Sequence, residues 1–189
     1  MSGGNFSRKE FIQKSIVTGV ILSSGSTIVS CSNAPSGAKE RGLQLSNFSE
    51  AGIELDKLLK ANTILQYGEW TPSQILLHCA QSIYYSIKGY PENKSEIFQN
   101  TLGKIAFWNF SRKGKMSHDL NAPIPGATGL QSGVSLSDSA LELKKAISAF
   151  ENYSGEFAPH FAYGKLTKKE YELAHSMHIA NHLDYLALS

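Results

Sequence analysis

Near the C-terminus, Tyr171, His175, His178, His182 and Tyr185 recur at spacings of four, three, four and three. At about 100° per residue this is the spacing of a buried helix seam, where leucine and isoleucine ordinarily stand. Each imidazole placed there costs about 1–3 kcal/mol unless it finds a hydrogen-bond partner or a metal. The stripe therefore restricts the chain to folds that bring such partners to the helix.

Helical geometry divides the three histidines. His175 and His182 are separated by a rise of about 10 Å and cannot share one ion. His178 and His182 stand one turn apart and can present two nitrogens to a metal; His175 with His178 is the second choice. A third ligand must come from elsewhere. The segment carrying Thr71, Ile75, His78, Ser82 and Tyr85 repeats the same spacing on a polar, uncharged face. That face suits a wet cavity and lies away from the apolar centre of Ile75, Leu76, Cys79, Ile83 and Ile87. His118 and His160 are outer candidates. The competing reading is a set of packed or solvent-bridged imidazoles with no metal.

Four helical segments organise the chain. Asn47 or Ser46 can cap a first helix running to about Gln66, with Ile53, Leu55, Leu58, Leu59 and Leu65 as its apolar positions. Thr71-Pro72-Ser73-Gln74 joins a cap, a proline at the first helical position and a capping-box glutamine, and predicts a helix to about Lys88. Ser137 predicts a third helix over Asp138 to Tyr153. The Thr167 and Glu170 capping box opens a last helix to about Leu188. Between the second and third lie the aromatic stretch IFQNTLGKIAFWNF, a shorter extra helix, and MSHDLNAPIPGATGLQSGVSLS, a long loop expected to cover one end of the assembly. With no alternating strand pattern, the predicted class is all-α, an up-and-down four-helix bundle.

The N-terminus reads differently. Arg8, Lys9 and Lys14 precede the mildly apolar run SIVTGVILSSGSTIVS, too short and too rich in small polar residues to span a membrane, so residues 1–30 are expected to be an export signal. Ile28 to Cys31, IVSC, resembles a lipobox, which makes Cys31 the expected lipidation site. SRKEFI resembles the twin-arginine export motif, with Lys9 in place of its second arginine. Residues 31–42 read as a lipidated cysteine and polar tether, and residues 43–189 as the domain. Without residues 1–30 the chain carries 15 basic and 15 acidic residues. It thus lacks the basic footprint of a nucleic-acid binder, and its expected partners are a membrane, through the anchor, and a small-molecule ligand. Acylation of Cys31 would leave Cys79 as the sole free thiol.

From about Trp70 to Leu183 the chain resembles a bacterial family known as domain of unknown function 1569, within the DinB-like (DinB/YfiT) superfamily of metal-binding four-helix bundles. The resemblance is carried by WTPSQILLHCAQSIYYSIKGYP, by the GKMSHDLNAPIPG loop and by APHFAYGKLTKKEYELAHSMHIANHL. It implies a metal set of one histidine on the second helix and two from an HxxxH on the last, which fall on His78, His178 and His182. His175, His118, His160 and Tyr85 are then expected around the metal or facing a substrate. Zinc, nickel and iron all suit imidazole. The implied function is a metal-dependent hydrolase or transferase acting on a small substrate in the cell envelope, the alternative being a non-catalytic ligand- or metal-binding protein.

Overall fold

The computed structural model describes residues 40–189. The expected signal peptide, Cys31 and most of the tether lie outside the described residues. Helix α1 spans Phe48–Lys60, its N-terminus capped by the Asn47 side chain, which accepts the Glu50 N–H. It buries Phe48, Ala51, Leu55 and Leu58, while Ile53 and Leu59 face solvent. The helix stops short of the expected Gln66. Asn62 and Thr63, poor helix formers, instead donate their backbone N–H groups to the Ser189 carbonyl. Strand β1, Ile64–Gln66, follows and pairs antiparallel with β2, Leu186–Leu188. This small sheet corrects the expectation of no strands. It also ends the last helix early, because residues paired in β2 cannot remain helical.

Helix α2, Pro72–Lys88, opens on the expected capping box of Thr71 and Gln74. A short α3, Glu96–Phe98, runs through a π-helical turn, Gln99–Gly103, into α4, Lys104–Lys113. Helix α5, Leu136–Asn152, starts earlier than predicted because Ser135, rather than Ser137, accepts the Asp138 N–H and donates its hydroxyl to the Asp138 carboxylate. Helix α6, Lys168–Leu183, begins at the Thr167 and Glu170 capping box. The described chain is thus mostly helical, in keeping with an all-α class. Helix α2 packs most extensively on α5 and also meets α6, and α1 packs against both α5 and α6. Leu55, Leu58, Leu76, Ile83, Leu143, Phe150 and Leu183 fill the core between them.

Two connections position the site. The π turn brings the buried Gln99 side chain to donate to the Phe161 carbonyl at 3.2 Å. At Gly103 a Cβ would collide with the Ala162 carbonyl oxygen, so only glycine lets the 160–164 loop seat against the turn. His160 and Gly164 close that loop through paired backbone hydrogen bonds of 2.8 and 3.0 Å. The long loop after α4 is also fastened: Met116, Leu120 and Ile124 are buried, the Asn121 side chain accepts the Glu69 N–H at 3.2 Å, and the Thr128 carbonyl accepts from Gln81 at 3.1 Å.

The end of the expected tether belongs to this helical unit. Tyr185 donates its hydroxyl to Glu40 at 2.6 Å, Lys115 pairs with both Glu40 and Asp184, and Arg41 pairs with Glu54. Among the described residues no helix is long and apolar enough to cross a membrane.

Candidate metal centre

Helices α2 and α6 bring three imidazoles to one point. His78 Nε2 lies 3.2 Å from His178 Nε2, which lies 3.1 Å from His182 Nε2. One ligand atom from each of the three falls within 4.8 Å of the others. His78 and His182 are buried and His178 is half-buried, at the edge of a cavity.

Hydrogen bonding cannot account for both short contacts. The Nε2 of a neutral imidazole carries either one proton or one lone pair. His178 Nε2 can therefore make one good hydrogen bond with a neighbouring ring, not two. Protonating the rings does not relieve the conflict, since it brings like charges together in a dry place. Burial, the largest cause, with added repulsion from His118, depresses the His78 pKa to about 3. Burial likewise holds His178 and His182 well below the ordinary histidine value, with the neighbouring histidines reinforcing the shift.

The two short spacings fit a shared cation. At the usual zinc–imidazole distance of about 2.0–2.1 Å, nitrogens of one ion stand about 3.0 Å apart at right angles and about 3.4 Å apart in a tetrahedron. The observed 3.1 and 3.2 Å lie between these limits. With Nε2 lone pairs turned inward, the protons fall on Nδ1. His78 Nδ1 and His182 Nδ1 are buried and have no partner among the described residues.

Around the triad the structure places the other expected residues unequally. The His118 ring lies 5.0 Å from that of His178 and 4.9 Å from that of His182, but His118 stands outside the close group of three. Its Nδ1 meets the Asp119 carbonyl at 2.8 Å, so Nδ1 carries the proton and donates it. Its Nε2 is left as a buried lone pair with no partner among the described residues. Burial lowers its pKa, partly opposed by the Asp119 carbonyl.

His175 stacks on Tyr171 and Phe48 and meets the Phe150 ring edge-on. It lines the cavity, yet its Nε2 is buried without a partner among the described residues. His160 lines the same cavity, stacked on Tyr163 at 4.2 Å between ring centres. Its Nδ1 accepts the backbone N–H groups of Ala162 and Tyr163, which fixes the proton on Nε2. Ser82 joins His78 in the lining, whereas Tyr85 packs on Tyr90 and is not part of it.

Trp70 is the residue that periodicity misses. Its ring lies 4.7 Å from that of His78 and stacks on His182 at 5.9 Å, forming an indole wall beside the triad. It precedes the α2 cap, where no helical repeat can point to it. Neither Glu172 nor Asp184 serves the site: Glu172 accepts the Phe48 N–H, and Asp184 accepts the Leu43 N–H and pairs with Lys115. Cys79 is buried in the core, where desolvation pushes its thiol pKa up, so it offers no reactive thiolate.

Residues 37–188 match the protein family described as a protein of unknown function (DUF1569). The chain belongs to this DUF1569 family. No curated protein and no solved structure matches it. For this family member the three converging histidines, rather than a relative of known activity, are the guide to chemistry.

The buried histidines also set a pH dependence. Burial lowers the His175 pKa from 6.5 to about 3. Below about pH 6.5 the unfolded chain takes up a proton that the native site refuses, so stability present above that pH falls as pH drops toward 3. In urea unfolding of the metal-free protein, His175→Phe is expected to flatten the slope of stability against pH between 6 and 4 by up to about 1.4 kcal/mol per pH unit. Equal slopes would mean that His175 is freely protonated in the native state.

Proposed function

We propose that this chain is a DinB-like four-helix bundle, built on α1, α2, α5 and α6, that holds a divalent cation through His78, His178 and His182. We further propose that it acts as a metal-dependent hydrolase or transferase on a small substrate in the adjoining cavity. The observation that carries the metal reading is the approach of His178 Nε2 to two other imidazole nitrogens at 3.1 and 3.2 Å. Zinc, nickel or iron would suit three imidazoles.

A cation held by three neutral side chains keeps open positions and its full charge, and so supplies Lewis acidity to an oxygen or sulfur donor brought to it. The chain's own residues do the rest. His118, fixed by the Asp119 carbonyl, presents its Nε2 lone pair as a hydrogen-bond acceptor beside the triad. Trp70 covers His78 and His182 and keeps water from that side. The loop residues Pro123, Ile124 and Pro125 wall the cavity and shield what binds in it. A non-catalytic binding protein is the second reading, favoured by one observation: among the described residues no carboxylate lines the cavity to serve as an acid or base.

The test is the metal content of protein purified without a histidine tag. About one equivalent of divalent metal is expected, lost in His178→Ala and retained in His118→Ala. Content well below one equivalent and unchanged in His178→Ala would remove the metal reading.

For the cell-envelope location, the support is the basic start, the short apolar run and the IVSC sequence ending at Cys31. The proposal is an exported, membrane-anchored lipoprotein. Fractionation of cells should find the chain in membranes and Cys31→Ser in the soluble fraction. Equal membrane retention of both would exclude lipidation at Cys31.

A further inference from the structure

The cavity beside the triad measures about 270 Å³, slightly under the range of about 300–1,000 Å³ usual for small-molecule sites, so its occupant is small. Its lining joins the histidines His78, His118 and His178 with a second polar pair, Lys94 and His160, and with the apolar Pro123, Ile124 and Pro125.

Charge is distributed unevenly over this lining. Among the described residues Lys94 is its only formally charged side chain, and no aspartate or glutamate lines it. The lysine is held at the mouth because its backbone N–H donates to the Phe161 carbonyl at 2.8 Å, which ties it to the loop that carries His160. His160 has its Nδ1 occupied by two backbone N–H groups, so the hydrogen its neutral ring offers is the Nε2–H. The Lys94 ammonium and the His160 Nε2–H are both donors. A two-oxygen anion answers both at once, and charge-assisted hydrogen bonds of this kind are the stronger ones.

We infer that the cavity takes a small organic carboxylate, with the carboxylate at Lys94 and His160, a short apolar body against Pro123, Ile124 and Pro125, and its far end toward the triad. The inference rests on the proposed metal site only for that far end. Lys94 and His160 line the same cavity, and the Lys94 backbone is bonded to the His160 loop, independently of any metal.

The experiment is calorimetric titration of the full chain with hexanoate and with hexanamide, its neutral isostere. Each is measured on zinc-loaded and on chelator-treated protein, with the helical circular dichroism of every sample checked. Hexanoate is expected to bind about tenfold or more tighter than hexanamide, the scale of one charge-assisted hydrogen bond. The preference should survive zinc removal, fall to near unity in Lys94→Gln and return in Lys94→Arg. Lys94 is exposed, so these substitutions leave the core intact. Equal binding of the two probes, or no binding of either, overturns the inference. A preference that Lys94→Gln leaves unchanged also overturns it; if that preference is lost with the zinc, the carboxylate sits on the metal and the metal reading stands without this one.

Discussion

Two short contacts made by one nitrogen govern this molecule. His178 Nε2 approaches both His78 Nε2 and His182 Nε2, and a single ring nitrogen cannot satisfy two ring nitrogens by hydrogen bonding. Charging the rings would set like charges against one another in a place where burial already disfavours a proton. A cation would resolve the conflict in one step, since it would turn three mutually opposed lone pairs into three ligands. The helix pairing of α2 with α6 determines whether those nitrogens meet, and so the core between the helices is part of the site.

The surroundings follow from that requirement. A polar cluster at a helix seam needs walls, and the fold provides them from parts of the chain far apart in sequence. Trp70 comes from the connection between β1 and α2, His118 from the long loop, and His160 from a loop that depends on the π turn and on the missing Cβ of Gly103. The loops are pinned by side-chain to backbone hydrogen bonds. The two-stranded sheet ties residues near the start of the helical unit to its C-terminus, closing the end at which α6 would otherwise fray.

Much of this was legible from local patterns, and the exceptions share a cause. The capping boxes at Thr71 and Thr167 locate the starts of α2 and α6 because the signal is a local hydrogen-bond exchange. The four-three spacing marks the His175, His178 and His182 stripe and brings His78 forward as a candidate because helical periodicity is local too, while the set of His78, His178 and His182 is what the family resemblance implies. Residues such as Leu65 and Leu188 mislead: they extend an apolar helical pattern, but their backbones pair across the whole length of the domain, and no local repeat reports that pairing. Lys94, Trp70 and the fixed ring of His118 belong to the same class. Each lies outside a regular helix, and its place depends on what the loop touches.

The most direct test of the metal account is anomalous scattering from crystals of the protein grown with zinc, recorded at the zinc absorption edge. The account predicts one strong peak about 2.0–2.1 Å from the Nε2 atoms of His78, His178 and His182, with His118 outside bonding distance. No peak at the triad, with the three rings turned apart to hydrogen-bond other groups, would contradict it.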